Sequence, residues 1–182
     1  MRAVVVYESM YGNTHVVADH IGVGLGSTFD VVVTSIEGAD DDLLANVDLL
    51  VVGGPTHAHG MTSTGTRKAA VDAARKDEDL DLDPDAEGPG LRDWFPQLKT
   101  PHGTAAAAFD TRIHAPAPLT GRASKGIARR LRHHGFDLVA EPGSFLVDTH
   151  NHLLDGEAER AEAWGASLAT ALADRVRSSS GG

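Results

Sequence analysis

The residues Glu8-Ser9-Met10-Tyr11-Gly12-Asn13-Thr14 follow the apolar run Ala3-Val4-Val5-Val6-Tyr7 and lead directly into a helix-like periodicity. A strand that runs through a short loop into a helix aims unpaired backbone N–H groups at whatever fills the loop. The positive end of the helix dipole points the same way. Ser9, Asn13 and Thr14 add side-chain donors, Gly12 permits the tight backbone, and no Lys or Arg lies in the loop. The chemistry this set suits is a phosphomonoester held by hydrogen bonds. A triphosphate-binding loop requires Gly-Lys-Ser/Thr, which is missing here. The run Gly22-Val23-Gly24-Leu25-Gly26 falls at a helix end rather than between strand and helix, so it reads as a C-cap and not as a dinucleotide fingerprint. Taken alone, Ser and Thr at a helix start are also ordinary caps.

Two further segments join the loop. The apolar run Asp48-Leu49-Leu50-Val51-Val52 continues into Gly53-Gly54-Pro55-Thr56-His57-Ala58-His59-Gly60-Met61, and Ala105 to Phe109 continues into Asp110-Thr111-Arg112. In a doubly wound sheet such loops leave the same carboxyl edge and converge at the switch point where ligands bind. One loop to grip a phosphate and two to wall a flat pocket make the shape of a mononucleotide site.

The elements that position these loops alternate. Apolar β-branched runs at 2–8, 29–36 and 48–54, with a small-residue run at 105–109, lack polar alternation and predict strands buried on both faces. A fifth strand is expected over 138–147, interrupted by Pro142-Gly143. Helices fit between them. One starts at Asn13 or Thr14 with Val17, Ile21 and Leu25 in register and closes at Gly26. A second is short and capped by Asp40-Asp41-Asp42, and a third spans about Ser63 to Arg75. A fourth is capped by Ser124 and ends at Gly135. A last, capped by Asp155, carries the stripe Ala161, Trp164, Leu168, Leu172 and Val176. The alternation predicts right-handed crossovers and a doubly wound, five-stranded parallel sheet in a three-layer α/β/α domain over 1–177. An insertion at about 77–104 breaks the rhythm between the third helix and the fourth strand, with seven acids between Asp77 and Glu87, and a disordered tail is expected at 178–182.

With Ser9-x-Tyr11-Gly12-Asn13-Thr14, Gly54-Pro55-Thr56 and the short segment after the fourth strand in place, the chain resembles the flavodoxin-like family, in its short-chain form, over about residues 1–177. The resemblance implies strand order 2-1-3-4-5 and FMN as a non-covalent cofactor, or a related deazaflavin. It implies a phosphate on Ser9, Met10, Tyr11, Gly12, Asn13 and Thr14. It also implies a flavin ring lined by Pro55, Thr56, His57, Ala58, His59 and Gly60 on one side and by Phe109, Asp110, Thr111 and Arg112 on the other.

Departures from that pattern carry their own expectations. Neither wall loop offers a Trp or Tyr; the one after the third strand offers His57 and His59. A histidine that becomes protonated near the ring would favour the reduced, anionic flavin, giving a less reducing potential that shifts between about pH 6 and 8. Trp94 and Phe95 in the insertion are read as a hydrophobic anchor or as a lid over the flavin, and Arg112 as a contact to the flavin carbonyls or to a substrate anion. Ten histidines include the pairs His57/His59 and His150/His152, but a pair needs a third ligand, so no metal is expected.

Composition narrows the setting. The chain has 182 residues, no cysteine and 26 acids against 16 Lys and Arg, for a net charge of −10. Disulfides, thiol chemistry and cysteine-held metal centres are excluded. The acidic balance disfavours nucleic acid and suits redox partner proteins with basic docking surfaces, or a small acceptor such as a quinone. No apolar run approaches the ~20 residues of a membrane span, and no signal peptide is evident, so a cytoplasmic protein is expected. The expected function is electron transfer through a flavin to partner proteins or small acceptors. The alternatives are an FMN-dependent NAD(P)H- or deazaflavin:quinone-type oxidoreductase and a non-redox binding module on the same fold.

Overall fold

The structure, a computed structural model, describes residues 1–57, 60–76, 80–99 and 103–179. Strands β1 (Arg2–Tyr7), β2 (Asp30–Ser35), β3 (Leu49–His57) and β5 (Ala105–Ile113) are parallel. The fifth position is filled by two short parallel pieces, β6 (Asp137–Leu138) and β7 (Gly143–Val147), both paired to β5. With β6 and β7 taken as one position, this is the 2-1-3-4-5 arrangement that the resemblance implies, and the break at Pro142 is realised as a gap between β6 and β7. A two-residue strand, β4 (Gly60–Met61), folds back antiparallel on the end of β3, pairing Thr56 with Met61 and His57 with Gly60.

Successive residues of each strand face opposite layers. Val4, Val6, Leu50, Val52, Ala106 and Ala108 point to one face, where α6 (Ala123–His133) contributes Ile127 and Leu131. Ala3, Val5, Leu49, Val51, Ala105 and Ala107 point to the other, covered by α1 (Asn13–Leu25) and α7 (Glu157–Ser179) through Val17, Ile21, Ala161 and Leu168. Helices α1 and α7 pack backbone to backbone: a Cβ at Gly24 would lie 2.0 Å from the Glu162 carbonyl oxygen. The glycine run read as a C-cap therefore has a second role. Gly26 closes the helix, and Gly24 lets α7 approach.

Short helices complete the chain: α2 (Asp41–Leu44), α3 (Thr64–Ala74), α4 (Leu91–Trp94) and α5 (Ala117–Thr120). Asp40 caps α2 through the Leu43 amide at 2.8 Å, and Ser63 caps α3. Two expected caps differ. Helix α6 begins at Ala123 with Ser124 inside it, and α7 begins at Glu157 after Gly156, whose φ is +81°. The last helix runs through Ser179, so residues 178 and 179 continue it.

The insertion is built into the core. Leu91, Trp94 and Phe95 are buried against the α6 face of the sheet, and Trp94 Nε1 donates to the Ala39 carbonyl at 3.3 Å. Trp94 is thus an anchor and not a lid. Burying side chains of this size contributes about 1.5–3 kcal/mol each. Among the described residues, no helix is long and apolar enough to cross a membrane.

Candidate functional site

Because the long strands are parallel, the segments leaving β1, β3, β5 and β7 all emerge on one edge. There they line a groove of about 260 Å³, which takes in Met10, Tyr11, Asn13 and Thr14 from the first loop and Pro55, Thr56 and His57 from the end of β3. Thr111, Arg112 and Ile113 from the end of β5 complete it, with Thr149 and Asn151 beyond β7. Gly60 lies outside this wall, on β4. Ala58 and His59, also expected at the site, fall outside the described residues.

The first loop is held from both sides. Gly12, at φ +84°, turns the chain into α1 and donates its amide to Ser9 Oγ at 3.1 Å. Thr14 is buried, with its Oγ1 2.8 Å from Thr111 Oγ1. Asn13 Nδ2 donates to the Asn151 carbonyl at 2.7 Å, and Tyr11 Oη donates to the Ala70 carbonyl at 3.1 Å. The Asp83 amide, from the insertion, donates to the Met10 carbonyl at 2.9 Å. Tyr11 therefore offers the groove its backbone and ring, with its hydroxyl committed elsewhere.

The two helix N-termini at this edge contrast. The Ala123 amide of α6 donates to Thr56 Oγ1 at 2.9 Å, and the Ser124 amide to Asp110 Oδ2 at 2.7 Å. Both capping groups come from neighbouring strands. Helix α1 has no side-chain cap, and among the described residues the amides of Asn13, Thr14 and His15 find no acceptor. Uncapped amides at a helix N-terminus are able to hold an anion.

Comparison with known proteins agrees with this geometry. The flavodoxin family model matches residues 5–91, which include the first loop and the Gly53-Gly54-Pro55-Thr56 segment. Over those residues the chain matches the flavodoxin family. A flavodoxin from the domain Archaea is 22% identical, with a TM-score of 0.64 over 94% of this chain and 99% of that one. Oxidised Flavodoxin 1 from Bacillus cereus is 23% identical, with a TM-score of 0.63 over 93% and 98%. A WrbA-like flavodoxin from Agrobacterium tumefaciens is 20% identical, with a TM-score of 0.56 over 95% and 98%. At these identities the likeness is one of fold. No curated protein matches the sequence.

The third expected segment behaves differently from the first two. β5 runs on to Ile113, so Phe109 to Arg112 are strand residues rather than loop. Phe109 is fully buried, with its ring edge-on to Phe145 and Trp164 at 6.3 and 6.4 Å. It belongs to the core beneath the edge and does not line the groove. Asp110, also fully buried, accepts the Ser144 hydroxyl at 2.5 Å as well as the Ser124 amide. Arg112 Nε donates to Ser144 Oγ at 2.9 Å and Nη1 to the Ala115 carbonyl at 2.7 Å. These contacts shape the turn after β5. Of the four, Thr111 and Arg112 reach the groove.

His57 is partly buried, and that burial lowers its pKa from the ordinary 6.5. The titration window expected between about pH 6 and 8 therefore moves down, and His57 is neutral at pH 7.

Glu8 has a role that the loop sequence does not suggest. It is buried at the end of β1, where it accepts the Thr62 hydroxyl and the Leu91 amide, the latter at 2.9 Å. Burial raises its pKa above the ordinary 4.5, against the pull of those two hydrogen bonds and of Arg67. It ties the first loop to the β4 turn and to the insertion. A lone acid at a strand end gives no sequence signal for such a role.

Proposed function

We propose that the protein binds FMN non-covalently and exchanges electrons through it. The observation that carries this is the open N-terminus of α1, with its Asn13, Thr14 and His15 amides unused while α6 beside it is capped by Thr56 and Asp110. The family match supports the choice of ligand.

The residues present fit FMN. The α1 amides and the hydroxyls of Ser9 and Thr14 would hold the phosphate with neutral donors and the helix dipole. The Thr14–Thr111 contact fixes the loop in that shape before the ligand arrives, which lowers the ordering cost of binding. Pro55, His57 and Thr111 would flank the ring. When bound, FMN supplies a ring that accepts and returns electrons. Neutral His57 places no cation against it at pH 7.

A second reading, direct reduction of a small acceptor such as a quinone, is favoured by one observation. Among the described residues the groove contains no Trp and Tyr11 is its one carbocyclic aromatic, and Ile113 at its rim is 50% exposed. A flavin face left without an aromatic cover admits a substrate.

The test is the ligand itself. Protein purified without added cofactor and then heat-denatured should release FMN, identified by mass spectrometry. Release of a deazaflavin phosphate would keep the site and change the cofactor. No flavin, together with no uptake of added FMN, would refute the proposal.

A further inference from the structure

Beside the groove at the loop edge lies a larger hollow, a concave cleft of about 770 Å³ between β4 and α6. Its wall carries Arg92, Arg122, Lys125, Arg129 and Arg130, with His133 and His134 at the far end, and among the described residues no acid lines it. On a chain of net charge −10, this concentrates five of the 16 Lys and Arg residues in one hollow.

These cations are not spent on partners. Among the described residues none of the five forms an ion pair. Arg92 donates to the Met61 carbonyl through Nε and Nη2, and Arg122 donates to the Pro142 carbonyl at 2.6 Å, so backbone oxygens hold both in place with their charge uncompensated. Arg122 Nε is buried with no acceptor. The Arg130 guanidinium lies over the Phe95 ring at 5.7 Å. Burial, together with the neighbouring His133 and Arg130 charges, lowers the His134 pKa.

We propose that this cleft binds a nucleotide bearing two or more phosphate charges, of the nicotinamide dinucleotide phosphate class. Pre-set guanidinium groups match phosphate oxygens in pairs, and an ammonium serves as a mobile point charge. The volume lies within the range of small-molecule sites and far exceeds that of a single phosphate. A compact ligand reaches the local cations, whereas an extended polyanion would also meet the acidic remainder of the surface beyond a Debye length of about 10 Å. Gly60 and Met61, on the cleft wall, pair across β4 with His57 and Thr56 of the adjoining groove. The ligand would therefore sit beside the bound flavin. That adjacency rests on the FMN proposal; the binding itself does not.

Calorimetric titration of the whole protein with NADP⁺, at about 50 mM salt, tests the inference. Saturable binding is expected with and without FMN, so a failure of FMN to bind leaves this result readable. Lys125 and Arg129 are exposed, and the K125A/R129A double variant should fold normally and bind NADP⁺ at least about tenfold more weakly. K99A, which removes the ammonium paired with Asp41, should bind as the parent does. The proposal is overturned by any of four results: no saturable binding, equal affinity in the double variant, inorganic phosphate binding as tightly as NADP⁺, or a single-stranded oligonucleotide binding more tightly.

Discussion

Thr14 Oγ1 and Thr111 Oγ1 lie 2.8 Å apart, and this buried contact joins the first turn of α1 to the end of β5. It couples the phosphate side of the site to the ring side. Replacing Thr14 with Val leaves the Thr111 hydroxyl buried without a partner, at a cost of about 1–3 kcal/mol. The urea midpoint of Thr14→Val should fall with an unchanged m-value and FMN affinity should weaken, while Thr14→Ser keeps both. Equal midpoints for parent and Thr14→Val would dissolve the coupling.

Gly53 sits under the Phe109 ring, where a Cβ would lie 2.1 Å from the nearest ring carbon. The ring is locked by Phe145 and Trp164 and has nowhere to move. Gly53→Ala should therefore cost about 1–3 kcal/mol or more through overpacking, measured as a lower thermal midpoint. A variant as stable as the parent would mean that this packing is absent.

The raised pKa of Glu8 has a definite sign in stability. Between the ordinary value of 4.5 and its higher folded value, the folded protein holds a proton that the unfolded chain has released. Stability contributed by this group is therefore greatest below 4.5, is lost as pH rises through that window, and is level above it. Chemical denaturation across a pH series should show a downward slope that Glu8→Gln removes. A parallel profile for the variant would assign the slope to other groups.

His57 works the opposite way. Its folded pKa lies below 6.5, so the unfolded chain takes up a proton first as pH falls, and stability declines below about 6.5. NMR titration should place the His57 midpoint under that value. A midpoint above 7 would restore a protonated ring beside the groove and the potential shift that goes with it.

The fold was largely legible because its strands are continuous apolar runs, and Gly12 and Gly26 mark the ends of α1 as glycines commonly do. The end of β5 was less so. Ala105 to Ala108 carry little β signal, and the polar Asp110-Thr111-Arg112 looks like a loop until its carboxylate and guanidinium are seen bonding sideways to Ser124 and Ser144. The sequence left Trp94 and Phe95 open between an anchor and a lid because Leu91, Trp94 and Phe95 are too few to show a period. Only the tertiary fold reveals that they complete one face of the core. The cationic cleft was hidden by the arithmetic of net charge. Most of its cations lie on α6, where basic side chains near a helix C-terminus suit the dipole without implying a site, and their convergence with Arg92 depends on where α4 packs.

The central claim is that neutral donors at the start of α1 hold a single phosphomonoester, and the contrast between FMN and riboflavin tests it most directly. Fluorescence titration of flavin-free protein with each should give FMN binding at least about a hundredfold tighter, since several charge-assisted hydrogen bonds depend on the phosphate. Equal affinity for the two, or no quenching by FMN at all, would contradict the account.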